Sequence, residues 1–119
     1  MHIAIDSSHA GITVIRPTGT LDMHSVPTFR ETLEAEVEGA QRGLIVLLDE
    51  VEFMDSAGIA VLIEGLKWSR SRSLPYILTQ PTAAVQTVIE LARLDHFFTI
   101  TSSIADAVAH IAAAVSIEG

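Results

Sequence analysis

The stretch Val51-Glu52-Phe53-Met54-Asp55-Ser56-Ala57-Gly58-Ile59 decides how this chain folds. It leads from the end of an apolar strand, through a tight acidic turn, into an apolar helix. Upstream, Leu44-Ile45-Val46-Leu47-Leu48 is continuously apolar rather than alternating, the pattern of a central strand covered on both faces. Downstream, Ile59, Leu62, Ile63 and Leu66 recur at helical spacing. Ser56 is therefore presented at a strand-to-helix junction, beside Asp55 and close before Gly58, a residue that lets another backbone approach. A hydroxyl held this way can cap a helix, accept a phosphate or act as a nucleophile.

Outward from that junction, strands and helices alternate without repeats or low-complexity linkers. His2–Asp6 and Ile12–Arg16 read as a hairpin around Ser8-His9-Ala10-Gly11, followed by an irregular passage from Pro17 to Leu21. Ser25 is placed to cap a first helix, with Pro27 in its first turn and Val26, Phe29, Leu33, Val37 and Ala40 as its apolar stripe. After the helix from Ser56 to about Arg70 come a strand at Tyr76–Thr79 and a helix opened by Pro81, with Val85, Val88, Ile89 and Ala92 inward. A short strand at His96–Ile100 follows, then a last helix capped by Ser103, with Ile104, Val108, Ile111, Ala112 and Val115 on one face. The order β-β-α-β-α-β-α-β-α predicts a mixed α/β sheet of about five strands with about four helices, most simply one layer of each.

Composition narrows the function. The length of 119 residues predicts one domain, and 49% hydrophobic residues exclude disorder for most of it. A net charge of −8, from 7 basic and 15 acidic residues, opposes binding to nucleic acid or anionic membrane. Lys67, Arg70 and Arg72 cluster only as cations do at a helix C-terminus. The five-residue aliphatic run is too short to span a bilayer, and Met1–Asp6 lacks the basic and apolar regions of a signal peptide. Absence of cysteine removes disulfides, thiolate metal sites and thiol catalysis, and fits a cytoplasmic protein.

Enzyme chemistry finds little support. A nucleophile elbow needs Gly-x-Ser-x-Gly, and Met54 stands where the first glycine belongs. His2, His9, His24, His96 and His110 have no triad context and no i, i+4 pair of the kind that binds zinc. No Gly-rich phosphate loop is present. Asp55 and Ser56 are both favoured helix N-caps, and one of them is expected to serve as such. Glu50, Glu52 and Asp55 crowd the same turn, so a phosphate on Ser56 would gain from the helix N-terminus and be repelled by Asp55.

Phe53-Met54-Asp55-Ser56-Ala57-Gly58-Ile59 resembles the phosphorylation segment of the STAS domain in bacterial anti-sigma factor antagonists. Thr18-Gly19-Thr20-Leu21-Asp22 resembles the same family's loop before the first helix, and element order agrees from about residue 3 to 115. The resemblance implies a non-enzymatic partner switch without cofactor or metal. The unphosphorylated antagonist binds an anti-sigma factor that is a serine kinase, so freeing the sigma factor; the kinase phosphorylates the serine and a phosphatase reverses it. By position the acceptor is Ser56, and the partner-binding surface comprises Asp22, Met23, Asp55, Ser56, Ala57, Gly58 and Val61. Ala57 departs from the Ser or Thr that many antagonists carry there, which leaves no second acceptor. Alternative readings within the family are the STAS subunit of a lipid-transport ABC complex, binding its ATPase, and a STAS protein of a stress-sensing assembly.

Overall fold

The computed structural model describes residues 1–118, with side chains described for residues 1–114. Its strands are β1 (His2–His9), β2 (Ile12–Leu21), β3 (Gly43–Leu47), β4 (Val51–Met54), β5 (Tyr76–Thr79) and β6 (Thr99–Thr101). Its helices are α1 (Val26–Gly39), α2 (Ser56–Ser71), α3 (Ala83–Leu91) and α4 (Ile104–Glu118). The sheet runs β1-β2-β3-β5-β6, antiparallel between β1 and β2 and parallel elsewhere, with β4 pairing β2 off this path.

Every residue of β3 is buried, and its alternating side chains divide between two cores. Leu44, Val46 and the following Leu48 join Ile15, Tyr76 and Leu78 under α1, α2 and α3. Ile45 and Leu47 join Ile12, Val14 and Ile77 under Ala107 and Ile111 of α4. Helices therefore cover both faces of the sheet. The continuous apolar run of β3 carries that information, whereas the expectation of a single helix layer is corrected. The stripe of α1 is buried as expected at Val26, Phe29, Leu33, Val37 and Ala40. On α4, Ala112 is exposed, and the side chain of Val115 lies outside the described residues.

Among the described residues there are six strands rather than five. Two corrections, both around the decisive stretch, account for the extra one. β2 does not end at Arg16 but continues to Leu21, and Val51–Met54 is not a turn but a strand paired parallel to that continuation. Pro17 is tolerated inside β2 because of its position. Pairing with β3 stops at Ile15↔Val46, and pairing with β4 starts at Gly19↔Val51. The Gly19 N–H bonds Glu50 O on that side at 3.0 Å. Two residues earlier, Pro17 directs its missing N–H into the gap, where no ladder bond is lost. Gly19 itself has φ +111° at a register shift, a backbone angle that relieves the bulge and suits glycine.

Smaller corrections concern caps and ends. Ser25 occupies the N-cap position of α1 but makes no side-chain cap; its hydroxyl donates to Thr20 O at 2.7 Å. Thr82, not Pro81, opens α3: its Oγ1 accepts from the Val85 N–H and donates to Val51 O, tying α3 to β4. Ala92 is exposed rather than inward, and the last strand begins at Thr99. Ser103 caps α4 as expected, accepting from the Asp106 N–H at 3.0 Å.

Candidate functional site

Asp55 is the residue around which the site is built. It lies in extended backbone at the N-cap of α2, with φ −105° and ψ −171°. Its Oδ1 accepts from the N–H groups of Ala57 at 2.8 Å and Gly58 at 3.2 Å. These are two of the donors that the start of a helix leaves unpaired. The other oxygen, Oδ2, accepts from the Met23 N–H at 3.2 Å, while the Asp55 N–H donates to Leu21 O at 3.2 Å. One side chain thus fastens the approach to α1 onto the start of α2.

Ser56 is the first residue of α2. It is exposed, and among the described residues its hydroxyl makes no hydrogen bond. The capping alternative for this pair of residues is therefore filled by Asp55, leaving the Ser56 oxygen free at the surface. No histidine bonds it, and no group of three or more His, Asp or Glu among the described residues is placed to hold a metal.

Asp22 belongs to the same loop but turns its carboxylate onto its own backbone. Its Oδ1 accepts from the N–H groups of His24 at 2.9 Å and Ser25 at 3.1 Å, which fixes the turn entering α1. These bonds, that of Ser25 foremost, hold its carboxyl below the ordinary 3.8. Among the three acids of the junction, Glu50 lies 3.0 Å from the Arg16 guanidinium, which also forms a two-pronged pair with Asp49. With Asp55 committed to backbone donors, Glu52 is the remaining exposed carboxylate of the turn.

The surface residues expected from the sequence separate into two groups. Met23 is 68% exposed and Ala57 half-buried beside Ser56. Val61, by contrast, is fully buried in the core under α2, so its side chain has no surface to offer a partner. Gly58 is also buried: a Cβ there would run into Met54 Cγ and lie 2.7 Å from Leu21 O. Its role is to let α2 seat against β2 and β4. Phe53, 53% exposed two residues before Asp55, is an apolar surface residue that sequence reasoning left out of the site. Strand alternation would turn Phe53 inward beside a wet Glu52, so its exposure had no signal in the sequence.

Comparison with known proteins gives a consistent result. The STAS domain model matches residues 6–107. An anti-sigma F factor antagonist of Lysinibacillus sphaericus is 26% identical over 95 residues, 79% of this chain and 81% of that protein. An anti-sigma-factor antagonist (STAS) domain protein from Planctomyces limnophilus superposes with a TM-score of 0.82 at 23% identity, covering 92% of this chain and 97% of that one. The Bacillus cell fate determinant SpoIIAA, in its phosphorylated form, gives 0.71 at 21% identity, covering 92% and 99%. At such identities the structural likeness is one of fold. With the family match spanning β2 to β6, the Asp55–Ser56 junction and the first three helices, this chain belongs to the STAS domain family.

Proposed function

We propose that this protein is an anti-sigma factor antagonist, switched by phosphorylation of Ser56. The observation that carries the reading is the pairing of a free, exposed Ser56 hydroxyl with an Asp55 whose two oxygens are already bonded to backbone N–H groups. A phosphoryl group on Ser56 would bring about 1.5–2 negative charges to a helix start whose second and third N–H groups are already taken by a carboxylate. It would therefore stabilise the domain little and act mainly on whatever docks there.

In this reading the unmodified surface of Met23, Ser56, Ala57 and Phe53 docks an anti-sigma factor that is itself the serine kinase, and a phosphatase restores the unmodified state. Val61 and Gly58 set the helix position beneath that surface. The reading assigns no catalytic residue and no cofactor. It draws support from the anti-sigma F factor antagonist of Lysinibacillus sphaericus and from the existence of a phosphorylated form of SpoIIAA.

The test is titration calorimetry of wild type, Ser56→Ala and Ser56→Asp against the nucleotide-bound anti-sigma kinase of the source organism, with mass spectrometry of each protein after incubation with ATP. Wild type and Ser56→Ala are expected to bind alike, Ser56→Asp roughly 5- to 150-fold more weakly, and phosphate to appear on wild type alone. Equal binding of Ser56→Asp and wild type would sink the switch. An ABC ATPase bound equally by all three would place the protein in the transport branch of the family.

A further inference from the structure

The free edge of β1 carries a second interaction surface. β1 lies at the end of the strand order and pairs only with β2. Its regular stretch is His2–Asp6, because the register with β2 shifts between Asp6 and His9. Edge strands are normally guarded by lysine, proline or short length; this one is eight residues long and has neither lysine nor proline. Its apolar side chains are incompletely covered, with Ile5 45% exposed.

The direction of the unused backbone groups follows from Pro17. Ile3 pairs with Pro17, which has no N–H to give, so this pair is of the non-hydrogen-bonded type. By alternation, His2, Ala4 and Asp6 bond to β2, while Ile3 and Ile5 direct their N–H and C=O groups to the open edge. The Gly19 N–H, an odd position of β2 turned away from β1 onto Glu50 O, agrees with that phase.

We infer that this edge pairs with the same edge of a second copy, antiparallel and two-fold about Ala4. In that register Ile3 lies opposite Ile5 of the second copy, in the hydrogen-bonded position both need. His2 lies opposite Asp6, and Ala4 opposite Ala4 at the closely spaced position where a small side chain fits. The sequence is thus complementary to itself, imidazole against carboxylate and apolar against apolar. The Asp6 carboxylate already accepts from the Ser8 N–H at 2.8 Å and stands 3.4 Å from His9, yet its side chain is 53% exposed and has lone pairs left for the His2 imidazole. Registers centred on Ile3 or Ile5 would set His2 against Ala4 or against Ser8, which lies in the irregular segment, and lose the two His2–Asp6 hydrogen-bonding pairs. Because β4 joins β2 on the side away from β1, the pairing leaves Ser56 uncovered.

Cysteine scanning tests this cleanly, since the protein has no cysteine of its own. Non-hydrogen-bonded antiparallel partners have Cα atoms about 4.5 Å apart, within the disulfide range. Under mild oxidation Ala4→Cys should form a disulfide-linked dimer roughly tenfold faster than Ser8→Cys, which lies in the irregular segment beyond the regular pairing and far from Ser8 of the second copy. Light scattering should give the wild type twice the 12.8 kDa chain mass at millimolar concentration. Ile5→Lys should restore the single-chain mass with an unchanged circular dichroism spectrum. His2→Asp should weaken dimerisation roughly tenfold, and adding Asp6→His should recover it. A single-chain mass at millimolar concentration, or equal oxidation of Ala4→Cys and Ser8→Cys, would overturn the inference. Neither result depends on Ser56.

Discussion

Removing the Asp55 carboxylate should separate its two duties, capping α2 and tethering the loop before α1. Asp55→Ala deletes three hydrogen bonds from an ionised acceptor, to the N–H groups of Ala57, Gly58 and Met23. Loss of an N-cap costs about 0.5–2 kcal/mol. The Met23 bond, long at 3.2 Å and exposed to water, adds about 0.5–1 kcal/mol, below the usual range for a bond to a charged group. Relief of repulsion in a chain of net charge −8 returns a few tenths of this. The expected total is about 2 kcal/mol. With a urea slope of about 1–3 kcal/mol/M for a small protein, the midpoint should fall by roughly 1 M at unchanged slope. Asp55→Asn keeps one carbonyl oxygen for Ala57 and Gly58 but turns an N–H₂ towards the Met23 N–H. It should cost only about half as much, and amide exchange at Met23 should accelerate as much as in the alanine variant. If asparagine proves as costly as alanine in urea, or leaves Met23 exchange unchanged, the division of labour drawn from the geometry is wrong.

Three further outcomes follow from other residues. Gly58→Ala should destabilise the protein by about 1–3 kcal/mol, measured by thermal unfolding, because Met54 can yield to a new Cβ but the Leu21 carbonyl cannot. Ser69→Ala should be neutral or raise stability by about 1 kcal/mol, because the Ser69 hydroxyl is fully buried without a hydrogen-bond partner among the described residues; a loss of more than about 1 kcal/mol would contradict this. Asp22 has its folded pKa depressed by the Ser25 and His24 N–H groups, so its contribution is complete above the unfolded value near 3.8 and disappears as pH falls through the folded one. In Asp22→Asn the acid limb of a stability–pH curve below about pH 4 should accordingly be shallower than in wild type.

The parts of the fold that declare themselves in sequence are those with one dominant physical signal. The unbroken run of β3 and the stripe of α1 each admit a single packing solution, and both were legible. The second half of β2 was hidden by Pro17 and Gly19, residues that break strands in isolation. Here one of them faces a gap between partners and the other makes a bulge. β4 was hidden because it is four residues long, half exposed and supported by a single neighbour. The side of the sheet taken by α4 could not be read at all, since an amphipathic stripe names the buried face of a helix but not the surface that buries it. At the site, the Asp55 cap was foreseeable from residue type and position. The burial of Val61 is not legible from its nearness to Ser56 along the chain: it lies five residues beyond Ser56 and about 140° around the helix, on the core side. Ser25 fits the profile of a cap, but the Thr20 carbonyl competes for its hydroxyl and wins.

The attachment of β4 has a consequence for how information could pass through this molecule. The strand that delivers Ser56 is joined to β2 beyond the Gly19 bulge, outside the main strand order, and the start of α2 is held through Asp55 both to Leu21 at the end of β2 and to the Met23 loop. The Ser56 hydroxyl itself is exposed and makes no hydrogen bond among the described residues, so a charge added there would meet solvent and whatever touches the junction first. In the proposed switch it would work as a label, legible to a molecule that touches the junction. A protein built this way can change its core for stability and its label-bearing rim for a new reader as two nearly separate matters.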